Sequence, residues 1–347
     1  MVTPAERLNV QYSSYFSATT ALAQSLNYLG KMNQALTILR AAVQLARDFD
    51  FSSMNYFELL ETYAEVLMAR YFQSNAGWQE LADLVHKIHQ RAERQYNEQG
   101  MPFEMNTKTM QIARAYSLLG QAYYYQTLNT AALDHTAVQG YLKQAAGFWE
   151  KVEPEQPIFA DVMSGELDST QILQIKATGT SKALMFLALS HQRLGEDEQG
   201  KEYNQRALDL ALQVDAKEVA SYIYRHLTWL VEDPEQKLEY ALNSLRLREE
   251  IGFKRLLPHS HLLVSDLFLE QGTLEIAQEH CQAALQLAKE MDLPSALMMI
   301  FRTQGDIYQR QGLKKEARTS FDNMLDFAEK LDLAYGVVQA EKRLKEL

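Results

Sequence analysis

The 347-residue chain predicts an all-α fold, a right-handed α-solenoid of about seven helix hairpins closed by a C-terminal capping helix. Three observations carry this expectation. First, within 295–333 Gly305 and Tyr308 sit three apart on a first helix, Gly312 ends it, and Ala317 and Phe321 sit four apart on a second. Small residues at Gly305 and Ala317 let two antiparallel backbones approach, while Tyr308 and Phe321 fill the space beside the contact. Forty residues earlier the same frame recurs as Ser265, Phe268, Gly272, Ala277, Cys281 and Ala284, and recurrence at a fixed period of this size marks a helical solenoid. Second, Pro258 and Pro294 occupy the same slot ahead of the last two hairpins, where a first-turn proline has no donor to lose. Third, no stretch sustains the period-two alternation of a half-buried strand.

The elements follow in order. The first hairpin spans about 12–49: Leu22, Ala23, Leu26 and Leu29 share one helix face, Gly30 closes that helix, and Ala35, Leu39 and Ala42 repeat the frame on the second. A second pair, 55–73 and 76–97, carries the apolar stripe without a glycine at the turn position, and 98–105, with Gly100 and Pro102, leads onward. Leu119, Gly120 and Tyr123 restart the frame on a helix from about 107, and polar and small residues at 127–136 lengthen its turn before a helix at 137–152. The segment 153–168, with Pro154, Pro157, Gly165 and a surplus of acids, reads as an irregular surface loop. It divides one continuous superhelix into 1–152, with hairpins one to three, and 169–347, with hairpins four to seven and the cap. From 169 the helical pattern runs to Arg193 unless Gly179 interrupts it, and Leu184, Leu187, Ala188, Leu194, Gly195 and Ala207 define the fourth hairpin. The fifth is shortened, with Tyr224, Leu227, Thr228 and Val231 in its first helix and Asp233-Pro234 opening its second. A last helix, 334–347, mixes Lys342, Arg343, Lys345 and Glu346 with Val337, Val338, Ala340 and Leu344, the amphipathic cap that a solenoid end requires.

Composition narrows the function classes. Hydrophobic content of 47% with 15 Gly and 7 Pro suits a mainly helical globular chain. A net charge of -11 disfavours nucleic acid and anionic membrane as partners, because both demand clustered Lys and Arg. The one cysteine, Cys281, falls at a packing position, and alone it forms no intramolecular disulfide. Residues 1–10 lack an apolar signal core and the longest apolar run, 183–189, is too short to span a bilayer, so the expected location is cytoplasmic.

The order of Gly or Ala, an aromatic three later, then Gly, Ala and an aromatic resembles the tetratricopeptide repeat (TPR) family in its long, about 40-residue form. The resemblance covers nearly the whole chain and is strongest in hairpins one, four, six and seven. It implies a non-enzymatic interaction scaffold without a cofactor, whose first helices line a concave groove that holds a peptide or a partner's helix. Carried over by position, hairpin one contributes Ser17, Thr20, Gln24 and Asn27 to that groove, and hairpin three contributes Arg114, Ser117, Gln121 and Tyr124. Hairpin four adds Lys182, Met185, Phe186, Leu189 and Gln192, and the fifth adds Tyr222, Arg225, His226 and Trp229. The last two give His259, Leu262, Leu263, Asp266 and Leu269, then Met299, Arg302, Thr303, Asp306 and Gln309. Cationic tips at Lys182 and Arg225 with apolar anchors such as Phe186 and Leu262 fit an acidic peptide or an amphipathic helix. Thr20 and Gln24 stand where chaperone-binding members carry Lys and Asn, so chaperone binding is not implied. The alternative is a ligand- or peptide-gated bacterial signalling regulator, whose repeats the junction Lys330-Leu331-Asp332-Leu333 resembles. No helix-turn-helix segment accompanies it.

Catalytic signatures are missing from the sequence: no phosphate-binding Gly-x-x-x-x-Gly-Lys loop, nucleophile elbow, His-Glu-x-x-His helix or paired cysteine set occurs. His86 and His89, three apart on one helix, have a spacing compatible with a metal and equally with two partly exposed side chains. His259 and His261 point to different faces of a helix start. Glu58, Glu61 and Glu65 form an acidic stripe, solvated or facing a partner.

Overall fold

The computed structural model describes residues 4–46, 54–98, 105–129, 135–156, 158–161 and 165–347. Its helices fall into seven consecutive pairs followed by a single one. They are α1 (Pro4–Tyr28) and α2 (Met32–Ala46), α3 (Met54–Ser74) and α4 (Trp78–Asn97), α5 (Met105–Asn129) and α6 (His135–Glu150), and α7 (Ser169–Arg193) and α8 (Asp197–Gln213). Then come α9 (Lys217–Leu227) and α10 (Pro234–Glu250), α11 (Leu257–Glu270) and α12 (Leu274–Glu290), α13 (Pro294–Arg310) and α14 (Lys314–Lys330), and finally α15 (Ala334–Glu346). The expected count and order of helices hold among the described residues, and the expected connection at 98–105 lies mostly outside them. Pro294 takes the first turn of α13, and Asp233 caps α10 ahead of Pro234.

Two kinds of turn separate most of these helices with a residue at positive φ; the turn of the fifth pair, 228–233, has none. Inside the pairs the position is Gly30, Gly195, Gly272 or Gly312; in the second pair Asn75, at φ 53°, takes it instead. Asparagine tolerates the left-handed region better than most residues, and Gly77, at φ 88° just ahead of α4, is a second left-handed residue in that turn. Between pairs the position falls to Asp215, Asp292 and Asp332 at φ 51–53°, and to Gly252. The next amide then reaches back five residues, Leu313 to Tyr308 O at 2.9 Å and Leu293 to Ala288 O at 3.0 Å, satisfying a carbonyl the helix end would leave open.

Close approach of neighbouring helices, within pairs and between them, depends on small side chains. A Cβ built on Gly305 would lie 2.2 Å from the ring of Phe321, one on Gly120 2.5 Å from Leu142, and one on Gly179 2.2 Å from Trp149. Elsewhere the small residue is a serine that also bonds across: Ser265 Oγ donates to Ala277 O and Ser181 Oγ to Ala207 O, both at 2.6 Å. Ala277 and Ala317 are fully buried, as the recurring frame requires. Gly179 does not interrupt α7, which runs unbroken; it is the seat of the Trp149 indole.

The chain forms two compact units. The first comprises 1–27, 31–69 and 77–219, and the second comprises 28–30, 70–76 and 220–347. Hairpin four thus packs with the hairpins before it, and the division falls within α9. In the first unit α7 lies against α5, α6 and α8; in the second α11 lies against α10, α12 and α13, and α15 lies on α14. No helix among the described residues is long and apolar enough to cross a membrane.

The segment 153–168 departs from its expected form. It contains two short antiparallel strands, β1 (Ile158–Asp161) and β2 (Gly165–Leu167), with Ile158 opposite Leu167. Ile158 is fully buried and joins Met110, Trp149, Val152 and Ile172 in one apolar cluster. Buried Asn106 clamps the approach: its amide donates to Glu153 O and Gln156 O, and its oxygen accepts from Glu153 N. Asp168 and Gln171 then close a reciprocal cap on α7. Strands of four and three residues are too short for alternation to show in sequence.

Gly179→Val should lower the urea midpoint, reflecting about 1–3 kcal/mol of stability lost to overpacking against Trp149; an unchanged midpoint would contradict the contact. Cys281 is 2% exposed, and burial, aided by the charge of Asp266, pushes its thiol up to about 12. A soluble thiol reagent at neutral pH should therefore label it only as the chain unfolds; rapid labelling of the folded protein would contradict this packing.

Candidate functional site

The first helices of successive pairs are laced together by opposite charges. In the first unit α3 carries Glu58, Glu61 and Glu65 along one stripe, and α5 brings Arg114 to it: Nη1 lies 3.5 Å from Glu58 Oε1 and 3.2 Å from Glu61 Oε2. Lys182 of α7 pairs with Glu65. Burial alone would favour neutral Arg114 and Lys182, but Glu61 and Glu58 outweigh it at Arg114, and Glu65 and Glu218 outweigh it at Lys182, so both cations are held more firmly charged. Burial raises the Glu61 carboxyl above its ordinary range; Arg114 opposes that, while Glu65 adds to it.

The second unit repeats the device. Asp266 of α11 accepts from Arg302 Nη2 at 2.5 Å and from Thr303 Oγ1 at 2.7 Å, both on α13. Asp306 of α13 accepts twice from Arg343 of α15, from Nε at 2.8 Å and Nη2 at 3.2 Å. Asp266 and Asp306 stand forty residues apart, one repeat. In α3, α11 and α13 an acid is thus offered to a cation on the following first helix or, for α13, on the cap. These pairs are partly exposed and contribute about 1 kcal/mol each at most, so they orient neighbouring helices more than they stabilise the fold.

Several residues expected on an open groove are buried instead. Met185, Phe186 and Leu189 have almost no exposure, because the 183–189 run of α7 is apolar on every side and α7 is enclosed by three helices. Tyr124 is buried against Phe186, ring centroids 5.6 Å apart and edge to face. Gln121 is buried and donates to Ser117 of its own helix at 2.9 Å. Leu262, His226 and His259 are buried too; burial, reinforced by Arg225 and Arg248, holds both histidines neutral. Tyr222 is half-buried, its ring edge against Phe253 and its face under the Arg248 guanidinium at 5.2 Å.

Trp229, just past the end of α9, is different. It is 55% exposed, Arg225 lies over its ring at 4.9 Å, and His226 stacks beside it at 5.8 Å. The expected groove residues thus separate into a buried set, a charge-paired set of Arg114, Lys182, Asp266, Arg302 and Asp306, and one displayed aromatic with its arginine. Glu58, Glu61, Glu65 and Arg343 complete the paired set and were outside the expected groove. The stripe at Glu58, Glu61 and Glu65 was visible in sequence, but its partners on α5 and α7 were not.

No family model and no curated protein sequence matches the chain. Among solved structures, it is similar to a signal transduction ATPase with numerous domains that carries a TPR sensor, from Pyrococcus horikoshii. The TM-score is 0.51 at 14% identity over 89% of this chain, which spans 42% of that one. Aspartyl phosphate phosphatase F from Bacillus subtilis gives a TM-score of 0.48 at 10% identity, over 95% of this chain and 93% of that one. The Rap conjugation gene regulator of plasmid pLS20, solved in complex with the Phr* peptide, gives 0.47 at 13% identity over 95% and 93%. The turns, the small-residue contacts and the likeness to the Pyrococcus protein agree on one fold, a helical repeat of the TPR type.

Proposed function

We propose that the chain is a non-enzymatic protein-interaction module that holds an amphipathic helix of a partner protein at the second unit, with Trp229 as its anchor. One observation carries this: a large aromatic is displayed to solvent and steadied by Arg225 and His226. Trp and Arg are the side chains that most often dominate binding energy, and a ring already held in place loses little freedom on binding. The charge ladder weighs against an acidic peptide as the guest. Arg114, Lys182, Arg302 and Arg343 are matched to the chain's own acids, so an incoming carboxylate would have to break a pair to use one of them. A second reading, an effector-gated regulator, is supported by the likeness to a chain with a TPR sensor.

Two measurements test these readings. Titration with a panel of amphipathic helical and acidic peptides, followed by indole fluorescence, should show saturable binding by a helical peptide and a blue shift, since of the three tryptophans Trp149 is buried, Trp78 is half-buried against Tyr123 and only Trp229 is exposed. Trp229→Ala should weaken that binding at least tenfold, about 1.4 kcal/mol or more; unchanged affinity would move the site elsewhere. Under the second reading, small-angle scattering should change shape on adding the bound peptide, whereas an unchanged profile favours a static scaffold.

A further inference from the structure

One side-chain cluster of the second unit has no part in the proposed interaction. His261 of α11 and His280 of α12 face each other with Nδ1 atoms 3.0 Å apart. Phe268 lies nearly parallel to the His280 ring, centroids 6.1 Å apart, and backs it. Both imidazoles are half-buried. Burial, with the second imidazole adding to it at His261, keeps that ring neutral down to about 4, and burial lowers His280 as well.

We infer that His261 and His280 form a two-imidazole site for a divalent transition-metal ion of tetragonal preference, Cu2+ or Ni2+. The Nδ1 atoms, 3.0 Å apart, are close enough for one ion to reach both, and two imidazoles completed by water take Cu2+ and Ni2+ ahead of Zn2+ in the general order of divalent affinities. Without metal, one Nδ1–H donates to the other Nδ1 lone pair. On binding, that proton moves to Nε2 of its own ring, both Nδ1 lone pairs turn to the ion, and no net proton is released. Glu249 and Glu279 bring negative charge to the neighbourhood of His280, which favours a cation. Among the described residues no group of three or more His, Cys, Asp or Glu side chains converges on one point, so water completes the coordination. The His86/His89 spacing makes no such pair: His86 bonds Tyr123 Oη at 2.8 Å, while His89 sits edge-on to Tyr116.

The site is independent of the proposed partner binding, and its test needs only metal salts. The full chain, stripped with chelator, is titrated with CuCl2, NiCl2 and ZnCl2, with binding read by calorimetry, the thermal midpoint, and the Cu2+ paramagnetic resonance spectrum. Wild type should bind one equivalent in the order Cu2+, Ni2+, Zn2+, with a raised midpoint and coupling to two ring nitrogens in the spectrum. His261→Ala and His280→Ala should each weaken Cu2+ binding at least tenfold and lose the two-nitrogen signature, while His86→Ala should behave as wild type. Far-UV dichroism establishes that the variants fold, and His280→Gln replaces any that does not. Retained affinity in folded His261→Ala or His280→Ala, loss in His86→Ala, or no stoichiometric binding by wild type would overturn the inference.

Discussion

A helix hairpin of this size cannot bury its apolar face alone, and its two backbones must come close enough for one large side chain to fill the space a small one leaves. That constraint organises the molecule. Phe321 lies on Gly305, Leu142 on Gly120 and Trp149 on Gly179, with no room for a β-carbon in any of the three. Where serine replaces glycine, as at Ser265 and Ser181, the hydroxyl bonds a carbonyl of the facing helix and turns the same closeness into a polar contact. The turns serve this geometry. A left-handed residue at most of the tight boundaries, such as Gly312 and Asp292, lets the chain reverse within two or three residues while the last carbonyls stay bonded.

Once helices stack by such contacts, their first helices bring equivalent positions side by side, and charge then distinguishes one register from another. Arg302 with Asp266 and Arg343 with Asp306 are successive rungs of one design, and Arg114 and Lys182 on the Glu58–Glu61–Glu65 stripe are its counterpart in the first unit. The individual rungs are weak because water reaches them. Their consequence for recognition is larger, since cations already matched to internal acids are poor grips for an acidic guest, and a displayed aromatic such as Trp229 gains importance.

The fold was legible because its governing residues recur. The Gly305, Ala317, Phe321 frame and its copy forty residues earlier locate two hairpins directly, and Pro294 and Asp233-Pro234 mark helix starts that the structure keeps. Cys281 was legible for the same reason, as a packing position in the copied frame. The strand pair at 158–167 was not, because Ile158 is buried among Met110, Trp149 and Ile172, which come from three different helices, and seven strand residues carry no periodicity of their own. The groove was legible only in part. Positional transfer assumes that each first helix keeps one face open, and the apolar run at 183–189 already indicated that α7 does not. The partners of Glu61 and Glu65 lie 53 and 117 residues distant, a separation that only the packed helices disclose.

The contact between Gly305 and Phe321 is where the account is most exposed to test. A double-mutant cycle in urea on Gly305→Ala and Phe321→Leu measures it directly. Gly305→Ala alone should destabilise, because the new methyl meets a buried ring with nowhere to retreat, and the same change should cost at least about 1 kcal/mol less when Phe321 is already Leu. Additive effects, or a Gly305→Ala chain as stable as wild type, would contradict the claim that close backbone approach at these small residues holds the hairpins together.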